Sequence, residues 1–357
     1  MYERKSRVFG AFMIAVSILL RLSMALELDA GAAAAVTQTA SNRDFARFLL
    51  YLETGEVTTA PEPANEPDIL LLEKTAPEPP VPEPAQQVPD LPLPEALADS
   101  SQLSISGGCT YSVDKETLLH RPSSLDFSGT DPQILIVHTH GSEAYLQQSD
   151  AAYIEAGSFR TLETDKSVIR VGEVLAETLT SYGLSVLHDT TVNDYPSYDT
   201  SYYNTLQRIE DWKQEYPGLQ MVLDIHRDAV SDESGGPVAL SAQLEGEHHA
   251  RLMLVVGTDQ GGLSHPDWEE NLANALKLQS VLEGLYPGLC RDLDLRTERF
   301  NQHMTPGSLL VEVGTNGNTL EQAERSARLL GDALASMIGS LNAHNGLLQT
   351  GKSGNSG

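Results

Sequence analysis

The stretch ILIVHTHGSEAY, residues 134–145, runs from four apolar residues into His138, Thr139 and His140, with Glu143 three positions beyond the second histidine. Two other segments share this form. MVLDI leads into His226, Arg227 and Asp228, and SLLV leads into Glu312, Val313 and Gly314. Two imidazoles and a carboxylate around an open fourth position make the usual catalytic zinc site, and they hold the ion without thiolates. Such an ion lowers the pKa of its bound water to about 7, giving a nucleophile able to attack an amide carbonyl. A further carboxylate must then take the proton and pass it to the leaving amine.

Each of these residues also has a plainer reading. A histidine at a strand end is more often a hydrogen-bonded surface group than a ligand. His140 and Glu143, however, stand at the spacing of a ligand pair, and Asp224 and Asp228 bracket His226 as candidates to orient its ring. Glu312 lies inside an apolar strand, where an unpaired carboxylate is expensive, so function explains it better than solvation does. The remaining histidines are weaker candidates. His248-His249 in EGEHHAR, His265 beside Pro266, and His188-Asp189 read as exposed turns, while His303 in RFNQHMTPGS directly precedes the Glu312 strand.

Alternating strands and helices would position these groups. QILIVH reads as a strand, and SVIRVGEVLAETLTSYG has apolar residues at helical spacing and closes on Gly183 as a C-cap. LSVLHD is strand-like, YYNTLQRIEDWKQEY is a helix stopped by Pro217, and MVLDIH, VALSAQL and RLMLVVG are strands. DWEENLANALKLQSVLEGLY is a long amphipathic helix ending in Pro-Gly, SLLVEVG is a strand, and TLEQAERSARLLGDALASMIGSL is the last helix. The GTNGN segment before it predicts a tight turn, with Asn318 or Thr319 as N-cap. The pattern predicts an α/β sheet with helices on both faces. In such sheets ligands gather beyond the carboxyl ends of the strands, so the three polar-ended strands converge if they are neighbours. Arg227 and Arg299 are candidates for pairing with substrate carboxylates, or equally for structural salt bridges.

The chain has 357 residues, 40% of them apolar, enough for one large domain or two small ones. Its formal charge of −27 argues against nucleic acid as a partner and for a self-repelling surface. Cys109 and Cys290 are the only cysteines, so a single disulfide is the most they can form. Arg4, Lys5 and Arg7 precede an apolar run whose ~13 residues fall short of the ~20 that span a bilayer, although continuation through Arg21 to Leu26 reaches that length. The preferred reading is a cytoplasmic segment 1–7, a transmembrane anchor 8–27, a juxtamembrane stalk 28–59 and a disordered Pro/Glu-rich linker 60–104. A folded domain over 105–345 and a disordered tail 346–357 follow. The rival is a cleaved signal peptide ending near Ala30-Gly31-Ala32; both place the remainder outside the cytoplasm.

ILIVHTHGSEAY, SVIRVGEVLAETLTSYGLSVLHD, VLDIHRDA and NQHMTPGSLLVEVGTNGNTLEQA together resemble the stage II sporulation protein P family, in the same order and over nearly the whole folded domain. That family comprises membrane-held cell-wall hydrolases of endospore-forming bacteria and is similar to the zinc-dependent N-acetylmuramoyl-L-alanine amidases. The resemblance implies a mixed, mainly parallel sheet flanked by helices, and a membrane-anchored peptidoglycan hydrolase of engulfment with amidase and endopeptidase activity. It also implies Zn2+ as cofactor, and a lytic transglycosylase and a membrane scaffold as partners. His140 and His226 would be zinc ligands and Glu312 the catalytic carboxylate. For the third ligand, Glu143 is preferred over Glu163 or Asp165, while His138 is either a supporting group or the true ligand. Another zinc peptidase of the wall, such as a carboxypeptidase, and a catalytically silent scaffold are the alternatives.

Overall fold

The computed structural model describes residues 88–147 and 159–353. The expected cytoplasmic segment, anchor and stalk, most of the tether and the last four residues lie outside these. Among the described residues no helix is long and apolar enough to cross a membrane.

Four apolar runs become β2 (Ile134–Val137), β4 (Met221–Asp228), β7 (Leu252–Gly257) and β9 (Leu309–Thr315), each buried along almost its whole length. Such continuous runs suit strands covered on both faces. With β1 (Ile105–Ser106), β3 (Val186–His188) and β8 (Leu293–Arg296) they form a seven-stranded sheet in the order β1-β8-β7-β9-β4-β2-β3. All neighbours are parallel except β7 and β9, which are antiparallel, so the sheet is mixed and mainly parallel as expected. A separate hairpin of β5 (Ser241–Leu244) and β6 (Glu247–Ala250) turns at Glu245 and Gly246, with φ of 52° and 87°. Positive φ at both central residues is the turn that matches strand twist.

The described residues also hold five α-helices: α1 (Lys115–His120), α2 (Val168–Ser181), α3 (Ser201–Glu215), α4 (Trp268–Leu285) and α5 (Leu320–Ser353). Their ends are specified locally. Ser167 Oγ accepts from Ile169 N at the start of α2. At the other end Gly183, at φ 79°, carries the chain out while Leu184 N donates to Leu179 O and Gly183 N to Thr180 O. These two bonds close the helix around the expected glycine. Of the two candidate caps for α5, Thr319 takes the role, its Oγ1 accepting from Gln322 N while Gln322 Oε1 accepts from Thr319 N.

Side chains alternate across a strand, and this parity divides the interior. Ile134, Ile136, Leu223, Leu254 and Val311 face α2, α4 and α5 and form the main core with Val171, Leu175, Leu276 and Leu334. Fully burying such a side chain contributes about 1.5–3 kcal/mol. On the other face Leu135, Val137 and Val222 pack under Ile209 of α3, and Met253, Val255, Leu310 and Phe300 form a small cluster. Helices thus lie on both faces.

The structure corrects several expected features. The folded domain begins before residue 105, because Ala98 and Leu103 are core residues and Ala98 N donates to Ser280 O on α4. The final helix runs to Ser353, past the expected end at 345. His248 and His249 belong to β6, and His249 is buried. His265 is buried, and Asp189 is buried against Arg208 and Trp212 Nε1. Cys109 and Cys290, whose pairing the sequence left open, are both free.

Candidate active site

The order β9-β4-β2 makes the three polar-ended strands neighbours. His226 on β4 and Glu312 on β9 are register partners, so both side chains leave the same face, together with Asp224 two residues earlier. That face is opposite the main core. His138 prolongs the Ile134–Ile136 parity and therefore points the other way, beneath α2. Its Nδ1 lies 3.1 Å from Ile225 O and its Nε2 2.9 Å from His188 Nε2. A carbonyl only accepts, so Nδ1 carries the proton, Nε2 accepts, and His188 Nε2 donates. A Cβ on Gly172 would stand 2.6 Å from the His138 ring. Burial first, then mutual repulsion, pushes His138 down to about 3, and burial pushes His188 to about 4, so the pair is neutral. His138 thus lies on the opposite face of the sheet from His226 and Glu312, within electrostatic reach of His226 and Asp224.

Beyond β2 the chain bends across the strand ends. Thr139 gives its N–H and Oγ1 to the Asp224 carboxylate at 2.8 and 2.6 Å. The His140 ring stacks on Tyr198 at 4.4 Å and meets His226 edge-on at 5.2 Å and Tyr202 at 5.5 Å. Tyr198 is held in turn under the Arg160 guanidinium, which also pairs with buried Asp194. Glu143 N donates to His140 O, and Val168 N donates to Glu143 O, which folds the Glu143 side chain inward. Its Oε2 accepts from Arg227 N at 3.1 Å and lies 3.6 Å from His226 Nδ1.

The structure thus brings His140, Glu143, His226 and Glu312 together. Glu163 and Asp165 are exposed, and Glu163 pairs with Lys166 at 2.7 Å. Asp224 Oδ1 lies 3.0 Å from His226 Nε2, close enough for charge attraction although that nitrogen is not aligned for a hydrogen bond. Asp228, the other expected partner of His226, pairs with Arg291 instead. Arg227 is buried and serves the fold, donating to Ala144 O and Phe159 O at 2.9 and 2.6 Å. Arg299 donates to Ser264 O.

Electrostatics set the protonation of the cluster. Burial raises the Glu312 carboxyl well above its ordinary value, and nearby Glu143 and Asp228 add to this. Burial likewise raises Glu143. For His226 burial acts downward, but the Asp224, Glu143 and Glu312 carboxylates outweigh it and hold the ring at about 10. Burial, with repulsion from His226, takes His140 down to about 4.

The test of a metal is whether polar atoms here want for partners. His140 Nδ1, His226 Nε2 and Glu312 Oε2 are buried without a hydrogen-bond partner, which is costly unless something else satisfies them. Two imidazoles with a carboxylate suit zinc. Among the described residues, however, no three His, Cys, Asp or Glu groups are disposed to hold an ion in this conformation. The residue types fit the ion, while their present arrangement is not that of a bound site.

Sequence reasoning missed Tyr198 and Tyr202, which flank His140, and the charged wall of a pocket of about 410 Å³ beside Glu312. LDLR, the β8 segment, alternates apolar and charged residues, and that period-two signal would have exposed Asp294 and Arg296 as one face of a strand.

Sheet and site together define an α/β protein with a candidate acid–base and metal-ligating cluster at the carboxyl ends of neighbouring strands. The family model for stage II sporulation protein P matches residues 76–335, and the chain belongs to that family. It is 26% identical over 221 residues to stage II sporulation protein P of Bacillus subtilis (strain 168), covering 59% of this chain. The match spans about half, 52%, of that relative's length. Among solved structures the chain is similar to the CwlD amidase of Clostridioides difficile in complex with the GerS lipoprotein, with 14% identity, a TM-score of 0.37 and coverage of 59% of this chain and 98% of that one. It is also similar to the N-acetylmuramyl-L-alanine amidase Ami1 of Mycobacterium smegmatis, with 14% identity, a TM-score of 0.35 and coverage of 60% and 100%.

Proposed function

We propose that this chain is a peptidoglycan hydrolase of sporulation, acting as a zinc-dependent N-acetylmuramoyl-L-alanine amidase that also cuts peptide cross-links. The observation that carries this reading is the meeting of His140, Glu143, His226 and Glu312 on one side of three adjacent strands, with His140 Nδ1 and Glu312 Oε2 buried without a hydrogen-bond partner. His140, Glu143 and His226 would hold the zinc ion. When bound, it supplies Lewis-acid polarisation of the scissile carbonyl and of the attacking water.

The chain's own groups supply the rest. Glu312 takes the proton from water and returns it to the leaving amine, a task suited to a carboxyl whose burial raises its proton affinity. Asp224 holds the His226 ring by charge attraction, while Tyr198 holds the His140 ring by stacking. Tyr202 is kept protonated, chiefly by burial and then by nearby carboxylates, and remains a hydrogen-bond donor facing the cluster.

The N-terminal segment would anchor the enzyme outside the cytoplasm. A tether raises the local concentration of a strongly acidic protein that an anionic wall otherwise repels. A lytic transglycosylase and a membrane scaffold are the expected partners. The deciding experiment measures metal content and digestion of purified peptidoglycan for the parent and His226→Ala. One zinc per parent chain and release of whole stem peptides, both lost in the folded variant, supports the reading. A folded parent that neither binds metal nor cleaves removes it.

A further inference from the structure

Strand parity places more than the candidate cluster on the open face of the sheet. Met253 and Val255 of β7, Leu310 and Glu312 of β9, and Asp294 and Arg296 of β8 share it, and all six line the pocket of about 410 Å³. The volume lies within the usual range of ligand sites, about 300–1,000 Å³. Helix α3 covers β2 and β4 on this face, and of the α-helices in the described residues only α3 contributes to the pocket, through Tyr202.

The pocket's charges come in opposite pairs. Arg291 Nη1 lies 2.6 Å from Asp228 Oδ2, with side chains 22% and 26% exposed. Arg296 Nη1 lies 3.3 Å from Asp294 Oδ2, with side chains 44% and 15% exposed. Both pairs therefore remain accessible to a ligand, and Arg291 commits only part of a five-donor guanidinium to its partner. A pocket for anions alone would not line itself with Asp228 and Asp294. One for cations alone would not carry Arg291 and Arg296, and one for apolar groups would carry none of the four. A ligand bearing both signs on one carbon can meet a guanidinium and a carboxylate together.

Resting on the hydrolase reading above, we propose that this pocket is a specificity subsite for a peptide side chain that ends as a free amino acid, with an ammonium and a carboxylate on the same carbon. Arg291 and Arg296 receive the carboxylate, and Asp228 and Asp294 receive the ammonium. Because Glu312 lines the same pocket, the subsite adjoins the scissile amide and selects which stem peptide presents its bond.

The test compares the zinc-loaded full chain on muramoyl peptides that differ in one residue: 2,6-diaminopimelate, whose free end carries both groups, or lysine, which carries only the amine. A charge-assisted bond corresponds to a preference of about 10- to 100-fold in kcat/KM for the first substrate. Arg291→Gln should bring the two substrates within about threefold of each other, with Arg291→Lys intermediate. Calorimetry with free 2,6-diaminopimelate, 1,5-diaminopentane and pimelate, which carry both groups, only amines and only carboxylates, provides a readout independent of catalysis. Binding of the first compound alone, lost in Asp228→Asn, supports the subsite. Equal kcat/KM on the two substrates, an equal fall on both in Arg291→Gln, or no discrimination among the free compounds overturns it. Selective binding without cleavage strikes the hydrolase reading and leaves the subsite standing.

Discussion

His226 and Glu312 are paired positions on adjacent parallel strands, so a single register holds the candidate ligand and the candidate proton carrier on one face. Glu312→Gln keeps the shape and removes the proton shuttle. Turnover of peptidoglycan should fall by about 10²- to 10⁴-fold while bound zinc stays at the parent level. A variant that cleaves normally removes Glu312 from the mechanism.

The choice of third ligand gives a second prediction. Glu143 lies 3.6 Å from His226 Nδ1, whereas Glu163 is engaged with Lys166 at the surface. Glu143→Gln should lower zinc occupancy under competing chelator, and Glu163→Gln and Asp165→Asn should leave it unchanged. The opposite pattern in chelator titrations would move the ligand to the start of α2.

Asp224 holds Thr139 through two hydrogen bonds and faces His226 Nε2. Asp224→Asn should weaken zinc binding by about 10- to 100-fold, the usual effect of a group that orients a ligand. Unfolding midpoints of the metal-free proteins would separate this from loss of the loop, since Thr139→Val removes only the hydroxyl contact to Asp224.

Gly172 lets α2 approach the His138 ring, and an added methyl group would intrude at 2.6 Å. Gly172→Ala should destabilise by about 1–3 kcal/mol, as overpacking does. Much of that loss should return in the Gly172→Ala, His138→Ala pair relative to His138→Ala alone. Denaturant unfolding of the four proteins measures the coupling, and simple additivity would refute the contact.

The buried pair His138 and His188 also fixes a pH response. Burial depresses both, to about 3 and about 4. As pH falls below the unfolded value near 6.5, the unfolded chain takes up protons that the folded chain refuses. This contribution to stability is present above pH 6.5 and declines toward pH 4, by at most about 1.4 kcal/mol per pH unit for each histidine. Unfolding free energies at pH 7 and 5 should differ less in His188→Gln than in the parent; an equal difference would show that other groups dominate.

The sequence carried the sheet well because fully buried strands read as unbroken apolar runs, and it carried α2, α4 and α5 through their helical spacing. His140, His226 and Glu312 were legible for the same reason, as polar residues at the ends of such runs. What it hid depended on tertiary contact. His188, His249 and His265 look polar locally, but His188 meets the His138 ring just beyond β2 and the other two lie in the interior. Arg227 looks like a substrate group until the carbonyls of Ala144 and Phe159 close on it. The inward turn of Glu143 depends on backbone bonds to Phe159 and Val168, more than ten residues further along the chain.

Among the described residues the pocket beside Glu312 reaches Gly107 at the rim of the sheet and lies over strands. A cleft of this kind can be approached from the side. On the hydrolase reading proposed above, a polymer would not need to present a free end or be threaded, so a bond deep within a cross-linked mesh would be as reachable as one at its border. The enzyme would then be limited by where it is held, and not by where chains terminate.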